Sequence, residues 1–66
     1  MIVVLNGKKT EVDCEMSLLE FLNLKGLEID RIVVECNFEI ARKEDWGSII
    51  LKENDNLEVL RFVGGG

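Results

Sequence analysis

Histidine is absent from this 66-residue chain, cysteine occurs only twice, and positive charge is scarce. Without histidine and without clustered catalytic groups, conventional hydrolase or redox catalysis is disfavoured. Two thiols, Cys14 and Cys36, fall short of the usual tetrahedral zinc site and of the four thiolates of an iron–sulfur cluster. Nothing else points to secretion, so both are expected to be reduced. Cys36 closes the apolar run Ile32-Val33-Val34 and reads as a small strand or core residue; neither cysteine is assigned a role. A membrane span needs about 20 consecutive apolar residues, and no run here approaches that. No secretory signal pattern opens the chain, so the expected location is the cytoplasm, with no membrane partner. Eight Lys/Arg stand against thirteen Asp/Glu, a net charge of −5, which works against binding a phosphate backbone and so against a nucleic-acid partner. The acidic positions are scattered, as on a solvated face, and they also fit a partner with a basic docking surface.

What is present is one small domain, 47% apolar and too rich in aliphatic residues for disorder. Met1 to Leu5 is a β-branched, apolar strand. Asn6-Gly7 is the dipeptide favoured in a type I′ hairpin, and Lys8 to Asp13 returns as a second strand. Ser17-Leu18-Leu19-Glu20 matches a capping box, with Met16 and Phe21 placed for a hydrophobic staple. The spacing predicts a helix over Ser17–Lys25 with an apolar stripe of Leu18, Phe21 and Leu22, stopped by Gly26. Arg31 to Cys36 reads as a nearly continuous buried strand. Asn37 turns the chain, Phe38 to Ala41 is a short extended segment, and Arg42 to Gly47 a polar connector with room for a helical turn. Ile49-Ile50-Leu51 reads as a short strand, Lys52 to Asn56 as a turn, and Leu57 to Val63 as the last strand.

This order implies an α+β fold with one main helix packed on one face of a mixed four- to five-stranded sheet. The first and last strands are the most apolar, which suits neighbouring central positions, and a hairpin–helix–return path favours a parallel pair, as in a β-grasp fold. One helix covers one face only. If Val3, Leu5, Leu57 and Val59 face it, then Ile2, Val4, Leu60 and Phe62 lie together on the other face. Such an apolar cluster is either a partner surface or a tolerated strand face. The last strand runs into Gly64-Gly65-Gly66. Three extended residues reach about 10 Å, and without side chains they can enter a channel too narrow for other residues. The terminal carboxylate is therefore the leading candidate for chemistry.

The Met1–Asp13 hairpin, the Ser17–Lys25 helix and a strand leading into a glycine end together resemble the ubiquitin-like β-grasp sulfur carriers, and most closely the ThiS family of thiamine biosynthesis. The resemblance covers essentially the whole chain. Leu5-Asn6-Gly7-Lys8 and the segment from Val34-Glu35-Cys36-Asn37 to Arg42 and Trp46 are similar to that family's internal sequence, with Ile40-Ala41 in place of Val-Pro. The family ends in Gly-Gly, and this chain carries one glycine more.

The resemblance implies a domain over residues 1–63 followed by a flexible tail at 64–66. It further implies a protein co-substrate rather than an enzyme. A ThiF-like adenylyltransferase would use ATP and Mg2+ to activate Gly66, a persulfide donor would supply sulfur, and a ThiG-like thiazole synthase would receive it. The chain has no Gly-x-x-x-x-Gly-Lys-Ser/Thr loop, so nucleotide chemistry falls to the partner, and this chain is expected to bind no cofactor itself. Gly64 and Gly65 would thread the partner's site, with Phe62, Val63 and Leu60 as docking contacts. For Phe62 a core position is the rival role. Trp46 reads as a packed cover for the connector, and Arg61 as a solvated charge or a partner's ion-pair mate. The alternatives are a molybdopterin-type carrier, a ubiquitin-like modifier joined to lysine, and a non-covalent β-grasp interaction module.

Overall fold

Asn6 and Gly7 hold φ of 49° and 81°, the paired left-handed conformations of a type I′ turn. In the computed structural model, which describes residues 1–63, this turn joins β1 (Ile2–Leu5) to β2 (Lys8–Glu11), with Val3 opposite Thr10. The helix α1 (Leu18–Leu24) begins at a complete capping box. Glu20 N–H donates to Ser17 Oγ at 3.1 Å, and Ser17 N–H donates to Glu20 Oε1 at 2.9 Å. Leu18, Phe21 and Leu22 form its buried stripe, and Gly26, at φ 72°, carries the chain out of the helix. Because Ser17 is itself buried, Ser17→Ala is expected to cost about 1–2 kcal/mol and lower the Tm by roughly 5–10 °C in a thermal melt, with Ser17→Asp recovering most of it.

The sheet has the order β2-β1-β5-β3-β4, completed by β3 (Ile32–Cys36), β4 (Glu39–Ala41) and β5 (Asn56–Arg61). β1 and β5 are parallel and every other pair antiparallel, the β-grasp arrangement expected from the sequence. The strand count resolves to five. α1 lies over one face, and the core beneath it is Val3, Val12, Leu18, Phe21, Leu22, Ile32, Val34, Trp46, Leu51 and Leu57.

Three local expectations are corrected, and one element is added. β3 is not buried throughout: Ile32 and Val34 face the core, but Val33 is 39% exposed, because one helix shields only one side of the sheet. Phe38 does not extend the next strand. With Asn37 it forms a two-residue hairpin between β3 and β4, both residues left-handed at φ 52° and 71°. Ile49-Ile50-Leu51 forms no strand. Its backbone instead straps the start of α1, through a bridge from Ile50 to Ser17 and bonds joining Ile49 O to Leu18 N–H and Leu51 N–H to Met16 O. Finally, a 3-10 turn at Ile29–Arg31, unforeseen from the sequence, precedes β3; the second, Lys43–Asp45, falls in the expected connector.

Two buried polar anchors fix the connections. Trp46 is 2% exposed, and its Nε1–H donates to Ala41 O at 2.8 Å, closing the connector over the core. Asp55 is 6% exposed. Its carboxylate accepts from Lys52 N–H at 2.7 Å and from Asn37 Nδ2 at 3.0 Å, while its carbonyl accepts from Val4 N–H at 2.8 Å. Asn37 Oδ1 in turn accepts from Asn56 N–H at 2.9 Å. The turn before β5 is thereby tied to β1 and to the β3–β4 hairpin together.

Candidate functional site

β5 sits between β1 and β3 and delivers the chain outward at Arg61-Phe62-Val63. Phe62 N–H donates to Arg31 O at 2.9 Å, so the ladder with the chain entering β3 continues one step beyond the strand. Leu60, Phe62 and Val63 are 63%, 44% and 79% exposed, and none packs into the core cluster; Phe62 takes the surface role over the core one. Gly64, Gly65 and Gly66, to which the sequence assigns threading and the covalent chemistry, lie outside the described residues.

Arg61 turns towards the helix side of β5 and pairs with Glu28 at 2.5 Å; Glu28 also meets Arg31 at 3.5 Å. Its guanidinium is thus engaged within the domain, at the rim of a groove of about 400 Å³ lined by Leu5, Leu27, Ile32 and Val59. The groups in this cluster are exposed, and such pairs contribute little stability. Lys43 bonds to Asp30 between the two 3-10 turns, and that hydrogen bond and charge hold the Asp30 carboxyl below its ordinary range.

The apolar face is composed differently from the expected cluster. Parallel pairing sets Val4 beside Asn56 and Leu5 beside Leu57, so β1 ends before Leu60, and Ile2 and Val4 are not its neighbours. Leu60 instead stands opposite Val33, and Ile40, 70% exposed, continues the surface on β4. Val33 and Ile40 thus belong to this exposed surface, and the sequence reading missed both. The alternation of Ile32-Val33-Val34 was the available signal, masked by three consecutive β-branched residues.

Neither cysteine takes part. Cys14 is exposed on the loop before α1, and Cys36 lies at the far end of β3 from the strand exit. Burial, aided by the Asp55 charge, pushes the Cys36 thiol up from its ordinary value, which favours the unreactive protonated form at neutral pH. Among the described residues no group of three or more acidic, cysteine or histidine side chains is placed to hold a metal, and no helix is long and apolar enough to cross a membrane. The arrangement presents a strand whose exit lies beside an exposed apolar surface.

The model of the ThiS family matches residues 3–66. The sulfur carrier protein ThiS of Bacillus subtilis is 35% identical over 63 residues, covering 94% of this chain and 96% of that protein. A thiazole synthase of Paramagnetospirillum magneticum is 30% identical over all 66 residues, and the chain spans only 20% of its length. In the crystal structure of a thiamine biosynthesis protein (ThiS) from Geobacter metallireducens, the whole chain aligns over the whole of that protein with a TM-score of 0.85 and 33% identity.

Proposed function

Since the chain belongs to the ThiS family, we propose that it is a sulfur carrier of thiamine biosynthesis whose cargo is held on the carboxyl carbon of Gly66. The supporting observation is the central strand: β5 is anchored on both sides and directs its exit, beside an exposed apolar surface, towards the glycines.

A terminal carboxylate has a pKa of roughly 3.5, so at neutral pH it is an anion that resists attack by a sulfur nucleophile. In this reading a ThiF-like partner brings ATP and Mg2+. A Gly66 carboxylate oxygen attacks the α-phosphorus, the bond to pyrophosphate breaks, and an acyl-adenylate forms. The outer sulfur of a partner persulfide then displaces AMP, and cleavage of the resulting S–S bond by a second thiol leaves the thiocarboxylate. Gly65 and Gly64 leave the partner's channel unobstructed, while Leu60, Phe62 and Val63 dock the base of the arm. The chain's similarity to part of a thiazole synthase supports a ThiG-like synthase as the acceptor.

Incubation with ATP, the adenylating partner and a persulfide donor should add the mass difference between oxygen and sulfur to the intact protein. Deletion of Gly66 should abolish that gain with the fold unchanged by circular dichroism. No gain in the complete system would sink the reading, and attachment to a target lysine would replace it with a modifier.

A further inference from the structure

Glu35 of β3 and Glu58 of β5 stand directly opposite each other in the antiparallel register. They occupy the face of the sheet away from α1, where partners of this kind hold their Cβ atoms about 5 Å apart and like charges repel. On the side towards the exit of β5 and on β4 the neighbours are apolar, whereas Asn37 and Asn56 follow on the other side. Val33 and Leu60 form the next pair on the same face, and Ile40 pairs with Glu35 from the β4 side. Among the described residues neither carboxylate enters an ion pair, whereas Arg31, Arg42, Lys43 and Arg61 are each engaged with Glu28, Glu44 or Asp30. Two opposed carboxylates framed by exposed aliphatic side chains disfavour the isolated sheet. The same arrangement suits a cation presented from an apolar surface: a lysine as a point charge, or an arginine whose guanidinium bridges both groups.

We infer that the Glu35–Glu58 pair is a docking element that receives a lysine or arginine of the adenylating partner, with Val33, Leu60 and Ile40 packing around the stem of that side chain. The inference rests on the sulfur-carrier reading above. A carrier of net charge −5 is complementary to a partner whose docking surface is basic. Glu58 and Val63 lie five positions apart along an extended chain, about 16 Å, so one partner surface spans the pair and the base of the arm.

The test is ATP–pyrophosphate exchange by a ThiF-type enzyme at varied carrier concentration. The carriers are the wild type, Glu35→Gln/Glu58→Gln, and Asp13→Asn/Glu15→Gln, which removes the same two charges from the loop before α1. For the Glu35/Glu58 double variant, the KM for carrier is expected to rise about ten-fold at low salt, with the saturated rate unchanged and the difference shrinking as salt screens the contact. Its Tm is expected to rise by about 2–4 °C, because the repulsion is gone. The control should keep a KM near the wild-type value. An unchanged KM in the double variant, or an equal rise in the control, would overturn the inference, the latter by reducing the effect to net charge. A lowered Tm would make the pair structural and overturn it as well. So would normal exchange combined with slowed sulfur delivery to a thiazole synthase, which would give the pair to the other partner. Wild-type carrier that supports no exchange would remove the sulfur-carrier reading itself, and the inference with it.

Discussion

Trp46→Ala is expected to destabilise the domain by about 3–5 kcal/mol, the usual cost of emptying a large aromatic site in a close-packed core. A domain of this length has only about 3–10 kcal/mol of stability in total, so the variant should be largely unfolded near physiological temperature. The effect is large because the side chain does two things. It is among the largest side chains in the core, and its Nε1–H holds Ala41 O, the last residue of the edge strand β4. Trp46→Phe separates them. It refills most of the volume but leaves Ala41 O without that donor, so about 1–2 kcal/mol should be lost instead. Chemical denaturation followed by far-ultraviolet circular dichroism checks both, since Trp46 is the only tryptophan and its removal takes the fluorescence signal with it. A loss below about 1 kcal/mol for Trp46→Ala would show that the connector collapses onto the gap.

Asp55→Ala is expected to cost about 2–4 kcal/mol, because hydrogen bonds to a charged acceptor are stronger than neutral ones and the buried Asp55 side chain makes two of them at once. Lys52 N–H and Asn37 Nδ2 would both lose their acceptor, and Asn37 would no longer be oriented to take Asn56 N–H. The loss should be local before it is global. Amide exchange at Lys52 and Asn56 should accelerate more than exchange at Phe21 in the middle of α1. Equal acceleration at all three would mean that the turn before β5 opens only when the whole domain does. Asp55→Asn retains one acceptor and should fall between the two.

Much of the fold was legible because its local signals agree with one another. Asn6-Gly7 allows few turns other than the one observed, and Ser17 with Glu20 marks the helix start to the residue. The parallel pairing of β1 with β5 was legible from apolar content and chain order, as both strands needed central places. The errors arose where tertiary context overrode local pattern. Ile49-Ile50-Leu51 has strand chemistry, but the helix start uses its backbone groups, and no neighbouring strand remains for it. Phe38 reads as part of the extended segment Phe38 to Ala41, and aromatic residues seldom adopt positive φ. The two-residue link between β3 and β4 requires that conformation regardless of the side chain. The candidate site was half legible. The exit residues Leu60, Phe62 and Val63 follow from sequence position, whereas Val33, Ile40 and the opposed Glu35 and Glu58 exist as a surface only once the register of three strands is known.

The place of β5 between two neighbours has a mechanical side. In the proposed reading a partner grips the glycine end, and a pull along the axis of β5 would be the load to resist. That load would fall as shear first on the ladder to β3, from Arg61 back to Leu57, and behind it on the β1 pairs at Asn56 and Leu57, reinforced by the Asn6 side-chain bond to Val59 N–H. An edge strand pulled outward would instead peel, one bond after another. The carrier can therefore be held by its tail without being unravelled from it.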